Sequence, residues 1–241
     1  MKYKTVFPII LCLLLTGLLF SVSADDRKFV WTYEYQTMPR GSAEVEHYLT
    51  LTSPDGGSMA GKTSVEHAFE LEIGMNDRFD FGLYQVFKQS PGASLKYTGF
   101  KARGRYRTGD INGDWLKPVI YVEYQGVPDF SSYKLEFKPI VGKTYGMWVT
   151  ALNPKVELVG KADGSSEWEW GYTGGGAVLL HHLFGLGVEA QGSEKGHYVG
   201  PSISHGGDGL WISLGSGFAL GDVDPGEPEV KIRLLIGVHV N

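Results

Sequence analysis

Residues 227–240 read Glu-Pro-Glu-Val-Lys-Ile-Arg-Leu-Leu-Ile-Gly-Val-His-Val, with Val230, Ile232, Leu234, Ile236, Val238 and Val240 at every second position. Successive side chains of a strand point to opposite faces, so these six residues form one aliphatic face. Lys231, Arg233, Gly237 and His239 fall on the other. A strand lying between lipid and a watery lumen has this pattern, and so does the half-buried strand of a soluble sheet. The remainder of the chain decides between them.

Period two recurs along the chain in segments of about 9–14 residues separated by Gly, Asp, Pro and Ser. The expected strands are 43–53, 64–74, 77–88, 94–108, 117–126, 132–141, 145–160, 166–178, 182–192, 196–205, 208–220 and 227–240. Twelve is an even number, as a single-chain barrel with both ends on one side of a membrane requires. Gly74-Met75-Asn76-Asp77, Gly142-Lys143-Thr144 and His205-Gly206-Gly207 read as tight turns at one end. Longer loops at 53–63, 126–131, 161–165 and 221–226 belong at the other, while 109–115 is long and 90–93 short for their places. The alternation Phe29, Trp31, Tyr33, Tyr35 in front would make a thirteenth strand, so 25–42 is expected as an extended segment in the periplasm or inside the lumen.

Lys2 and Lys4 precede an apolar run at 6–20, and Val22-Ser23-Ala24 supplies a small-residue cleavage site. Residues 1–24 therefore read as a secretory signal peptide, because 15 apolar residues fall short of the roughly 20 needed to span a bilayer. The only cysteine, Cys12, lies in this leader, which leaves no disulfide for the remainder. Of 22 Lys and Arg, 20 remain after the leader against 27 Asp and Glu, a net of about −7 that argues against nucleic acid as a partner. No stretch after the leader has the length of a spanning helix, so a membrane reading must rest on strands.

Two faces can be drawn along most strands. One carries Phe69, Leu71 and Ile73, then Phe79, Phe81 and Leu83, then Trp168, Trp170 and Tyr172, then Leu210, Ile212 and Leu214. The other carries Glu44, Glu46, Glu66, Glu70 and Glu72 on the first two strands, Lys101, Arg103, Arg105 and Arg107 on the fourth, and Lys134, Glu136 and Lys138 on the sixth. Like charges two apart on one face lie roughly 7 Å from each other and repel unless water or an opposing ladder compensates. A hydrated lumen offers both, and the dry centre of a sandwich offers neither. His47, His67, Gln85 and Lys96 depart from the apolar face and are expected near strand ends or membrane interfaces. The competing reading is a secreted soluble sheet protein, including a carbohydrate-binding sandwich.

Thr32-Tyr33-Glu34-Tyr35, Pro39-Arg40-Gly41, Glu44-Val45-Glu46, Phe69-Glu70-Leu71-Glu72-Ile73-Gly74, Arg103-Gly104-Arg105-Tyr106-Arg107 with Gly109-Asp110, Tyr121-Val122-Glu123-Tyr124 and Val199-Gly200-Pro201-Ser202 together resemble an uncharacterised family of Gram-negative outer-membrane β-barrels. The resemblance implies an all-β fold, a single closed antiparallel transmembrane barrel over 43–241. It also implies outer-membrane lipids, lipopolysaccharide and the barrel assembly machinery as partners. No substrate follows from it. The chain ends His-Val-Asn, where such barrels commonly end on an aromatic residue.

Several motifs compete for chemistry. Gly56-Gly57-Ser58-Met59-Ala60-Gly61-Lys62-Thr63 matches the phosphate-loop pattern, but period-two residues follow where a helix is needed. Ser202-Ile203-Ser204-His205 suggests a lipid hydrolase, yet neighbouring strand residues diverge, so no catalytic set is named. His181-His182 sits at an expected turn, and Asp110-Ile111-Asn112-Gly113-Asp114 begins like a calcium loop without completing one, so neither a metal nor a cofactor is assigned. Asp222, Asp224, Glu227 and Glu229 make an acidic loop able to gather divalent ions beside lipopolysaccharide. Glycine in 166–220 reads either as space in the lumen or as close packing.

The expectation is a non-enzymatic, narrow channel or passive transporter for small polar solutes. Glu44, Glu46, Glu66, Glu70 and Glu72 form an acidic lining and Lys101, Arg103, Arg105 and Arg107 a basic one, with a transverse field between them. Lys231 and Arg233 would stand beside Glu44 and Glu46 at the closing seam. The alternatives are a closed structural or adhesion barrel, in which the ladders pair internally, and the lipid hydrolase.

Overall fold

The computed structural model describes residues 26–110, 117–207 and 209–240. The expected leader at 1–24 and most of the calcium-like stretch at 110–114 lie outside these residues. No helix among the described residues is long and apolar enough to cross a membrane.

The alternating segments form twelve strands: β1 (Ala43–Ser53), β2 (Ser64–Asn76), β3 (Phe79–Gln89), β4 (Lys96–Arg107), β5 (Val119–Gly126), β6 (Ser132–Tyr145), β7 (Trp148–Lys161), β8 (Ser166–His181), β9 (Phe184–Ser193), β10 (Gly196–Gly207), β11 (Leu210–Ala219) and β12 (Val230–Val240). Each pairs antiparallel with its chain neighbours, and β12 returns to pair with β1, so the sheet closes without an edge. The β1–β12 register is unbroken from Ala43 opposite Val240 to Ser53 opposite Val230.

The three expected tight turns are largely strand instead: residues 74–76 complete β2, and that reversal falls at 77–78. Residues 142–144 lie inside β6 and the reversal falls at 146–147, while 205–207 complete β10. Glycine alone marked those positions, but Gly142 continues the ladder opposite Ala151, and the positive φ that a reversal uses occurs at Gly146. The connection at 108–118 stays long for its end, whereas that at 90–95 is longer than the loops at 127–131 and 162–165 beside it and is not the short exception expected.

The aromatic and aliphatic face points outward, with Phe69, Leu71, Leu83, Trp168, Trp170, Leu210 and Leu214 all exposed. In water this belt would be far too large for a monomer. His67 lies near the start of β2 as expected, but His47 is mid-strand; both are on the outer face, where His47 Nε2 and His67 Nδ1 are 3.0 Å apart and Phe69 stacks on His47 at 4.5 Å. Their polar atoms satisfy each other, which lowers the cost of that position. Gln85 pairs opposite Phe69, also mid-strand, and Lys96 begins β4 as expected.

Residues 26–42 lie within the barrel. They form a loop that enters and leaves at the end where β1 begins, called here the entry end. Gly41 donates to the Gly74 carbonyl, and Gly74 donates back to Ser42. At mid-height Phe29 packs with Val149, Ala151 and Ala177, Val30 with Tyr48, Trp211 and Leu235, and Tyr33 with Val119, Tyr121 and Ile140. The alternating aromatics thus become anchors to different parts of the wall.

Candidate functional site: a charged lumen above a lumenal segment

Single wall side chains hold the backbone of this inner loop. Glu189 accepts from the N–H groups of Val30 at 2.7 Å and of Trp31 and Thr32 at 2.9 Å each. Asn153 accepts from Tyr33 N–H at 2.6 Å and donates to its carbonyl at 3.0 Å, and Asp80 accepts from Met38 N–H at 2.9 Å. Three consecutive amides converging on one carboxylate form an anion nest that the barrel itself fills. Glycines clear the space: a Cβ on Gly175 would stand 2.6 Å from the Phe29 ring, and one on Gly215 would stand 2.5 Å from Val30. At these two positions the close-packing reading of glycine applies, the packing being that of the inner loop against the wall.

Below mid-height the charged ladders meet each other. Arg103 Nη2 donates to Glu70 Oε1 and Glu72 Oε2 at 2.6 Å each, while Arg105 bridges Asp80 at 2.9 Å and also reaches Glu72. Glu70 and Glu72 sit on β2, Arg103 and Arg105 on β4, and Asp80 on β3 between them. At the intervening position stands Gly82, where a side chain would run into Glu70 and Arg103. The expected transverse field is therefore corrected: acid and base neutralise each other along one stretch of wall. Glu44 receives the Trp211 indole N–H at 2.9 Å and faces His239 at 3.3 Å. Arg107 donates to the carbonyls of Gly109 and Asp77 at the entry end. Oxygens of Glu46, Glu70 and Glu72 lie within 4.8 Å of one another, a grouping that suits a cation, and the Arg103 guanidinium supplies positive charge there.

The seam also differs from expectation. Antiparallel register sets Glu44 opposite His239 and Glu46 opposite Gly237, whereas Arg233 faces Thr50 and Lys231 faces Thr52. The two cations stand nearer the loop end than the carboxylates they were expected to join.

Above the inner loop a cavity of about 750 Å³ extends toward the loop end. Trp31 and Tyr33 form part of its floor with Tyr48, Tyr84 and Tyr121, and its wall includes Glu66, Lys101, Lys231 and Arg233. Ion pairs line one side: Lys101–Glu123 at 3.2 Å, Lys134–Glu157 at 2.9 Å, Lys138–Glu136 at 2.7 Å and Lys155–Glu157 at 3.1 Å. Residues 91 and 226–228 in the loops reach the same space.

The competing motifs resolve in structural terms. In the phosphate-like loop Asp55 accepts from the amides of Gly57 and Ser58 and from Lys62 Nζ, so the loop's own carboxylate takes the anion position. Those donors hold Asp55 below the usual carboxylate range. Ser202 and Ser204 are buried inward and His205 is exposed outward, which separates nucleophile from base. In the acidic loop Glu229 accepts from Gly56 N–H at 2.8 Å, tying that loop to the phosphate-like one. Glu189 and Asn153 were not expected as site residues. Their one signal is an isolated polar residue at an inward position.

The COG4313 outer membrane channel from Pseudomonas putida F1 superposes with a TM-score of 0.60 at 11% identity, covering 88% of this chain and all of that one. The chain has the fold of an outer-membrane β-barrel. A bacterial polysaccharide outer membrane secretin superposes at 0.47 with 10% identity, covering 85% of this chain and all of that one. No family model matches the sequence, and no curated protein matches it.

Proposed function

We propose that this protein is an outer-membrane channel for small polar solutes, with its entry end toward the periplasm and residues 26–42 as a lumenal obstruction. The observation that carries the reading is the cavity of about 750 Å³ between the loops and the inner loop, within the size range of small-molecule sites. Its wall is polar and charged, whereas a barrel serving only as a scaffold has no need for a lined space of this size. Among the described residues the inner loop is held by hydrogen bonds, cation–π contacts and packing, so it can leave the wall without breaking a covalent bond.

The coupled Glu70–Arg103–Glu72 and Asp80–Arg105 bridges favour a second reading, a closed structural barrel. Planar-bilayer recording of the purified protein separates the two. Discrete conductance steps that grow when residues 26–42 are deleted are expected of the channel. A silent bilayer with both forms, each shown to be folded by heat-modifiable gel migration, would leave the closed barrel.

A further inference from the structure

Charge is distributed unevenly around the cavity. On the β4–β7 side the cavity-lining Lys101, Lys134, Lys138 and Lys155 each have a carboxylate within ion-pair distance, but no carboxylate among the described residues lies that close to Lys231 or Arg233. Lys231 Nζ sits 3.6 Å over the Tyr198 ring. Arg233 donates to Thr50 Oγ1 at 2.9 Å and to the Val30 carbonyl at 3.3 Å, with its guanidinium 5.7 Å from the Trp31 ring. The positions opposite them on β11 are Gly217 and Gly215, so no side chain covers the cations from that strand.

Two unmet polar groups stand in the same place. Gln191 Nε2 and Tyr198 Oη are buried with no hydrogen-bond partner. A Cβ built on Gly217 would lie 3.3 Å from Gln191 Nε2, 3.4 Å from Tyr198 Cβ and 3.8 Å from the Trp31 indole. Buried donors are rarely left unpaired, because each forfeits its bonds to water. A cationic recess with an unused amide donor, a phenol and an indole face is built to take an anion attached to a ring.

We propose that this recess binds a carboxylate carried on a ring, the carboxylate meeting Lys231, Arg233 and Gln191 Nε2 while the ring lies against Trp31. Carboxylate fits the donors in number and charge, and the indole suits either a flat aromatic ring or the apolar face of a sugar. The proposal names a solute class for the channel reading and shares its cavity, but binding does not require passage.

Titration calorimetry on the detergent-solubilised mature protein tests it, with galacturonate and benzoate as probes and galactose and benzyl alcohol as neutral counterparts. At least one anion is expected to bind ten-fold or more tightly than its neutral partner, which also tells sugar from aromatic ring. Lys231→Ala is expected to weaken that anion about ten-fold and Lys231→Arg to restore most of it. Gln191→Leu tests the amide without changing charge and is expected to weaken the anion several-fold. Equal binding of anion and neutral partner, no binding of either anion, or an undiminished affinity in folded Lys231→Ala overturns the proposal. Conductance is recorded separately. A protein that binds but never conducts loses the channel reading alone, and one that conducts without binding loses this inference alone.

Discussion

Replacing Glu189 by alanine takes away the acceptor of three consecutive amides at the tip of the inner loop. Charge-assisted hydrogen bonds contribute roughly 1.5–3 kcal/mol each, so the gross loss is about 5–9 kcal/mol. Much of that is offset, because Glu189 is 2% exposed and a buried carboxylate carries a desolvation cost of several kcal/mol. Asn153 and the packing of Phe29, Val30 and Tyr33 remain in the variant. A net change of about 3 kcal/mol shifts the docked-to-released ratio by roughly two orders of magnitude. A loop docked about 99% of the time would then be released about half the time, by the same two-state arithmetic. Single-channel recording reads this as a large rise in open time, with Glu189→Gln in between because one acceptor oxygen survives. Traces from folded Glu189→Ala indistinguishable from those of the parent would refute the claim that this contact keeps the passage shut.

Three further outcomes follow from the geometry. Gly175→Val pushes a side chain into the Phe29 ring and is expected to lengthen open time like Glu189→Ala, and because both shift one docked-to-released equilibrium the double variant should approach full release; a double variant no more open than either single in bilayer recordings would count against a single moving element. Arg103→Met leaves Glu70 and Glu72 buried without their shared cation, a loss of about 3–5 kcal/mol that should lower the urea midpoint of the barrel in lipid vesicles, and an unchanged midpoint would show the bridges to be dispensable. Asp55→Asn weakens the clip on Lys62, so trypsin should cut after Lys62 several-fold faster while the barrel stays resistant; an unchanged rate would mean the loop is ordered by other contacts.

The barrel was legible because period two is a backbone property that any strand with two different environments must display. β1 begins and ends at the expected residues, and Phe69, Leu71 and Leu214 face outward as read. Turn positions were less legible where glycine was the cue, since Gly142 serves close strand packing as readily as reversal. The charge walls were found, but their pairing depended on Gly82 leaving a gap between β2 and β4, a distance relation that a linear pattern does not carry. The inner loop announced itself only as a surplus strand. Its partners are lone residues such as Glu189 and Asn153, more than a hundred positions away, with no periodic pattern to mark them.

The seam between β1 and β12 joins the first strand to the last, so the ring cannot close until nearly the whole chain has been made. Residues 26–42 precede β1, yet their wall partners lie on strands up to β12, where Arg233 donates to the Val30 carbonyl. The first-made part of the described chain can therefore meet its partners on β3, β7 and β9 before the last of its wall is made. Contacts of such long sequence separation form slowly. An inner loop already laid across the unfinished sheet would hold its curvature, acting as a form around which the ring is drawn shut before it serves as an obstruction within it.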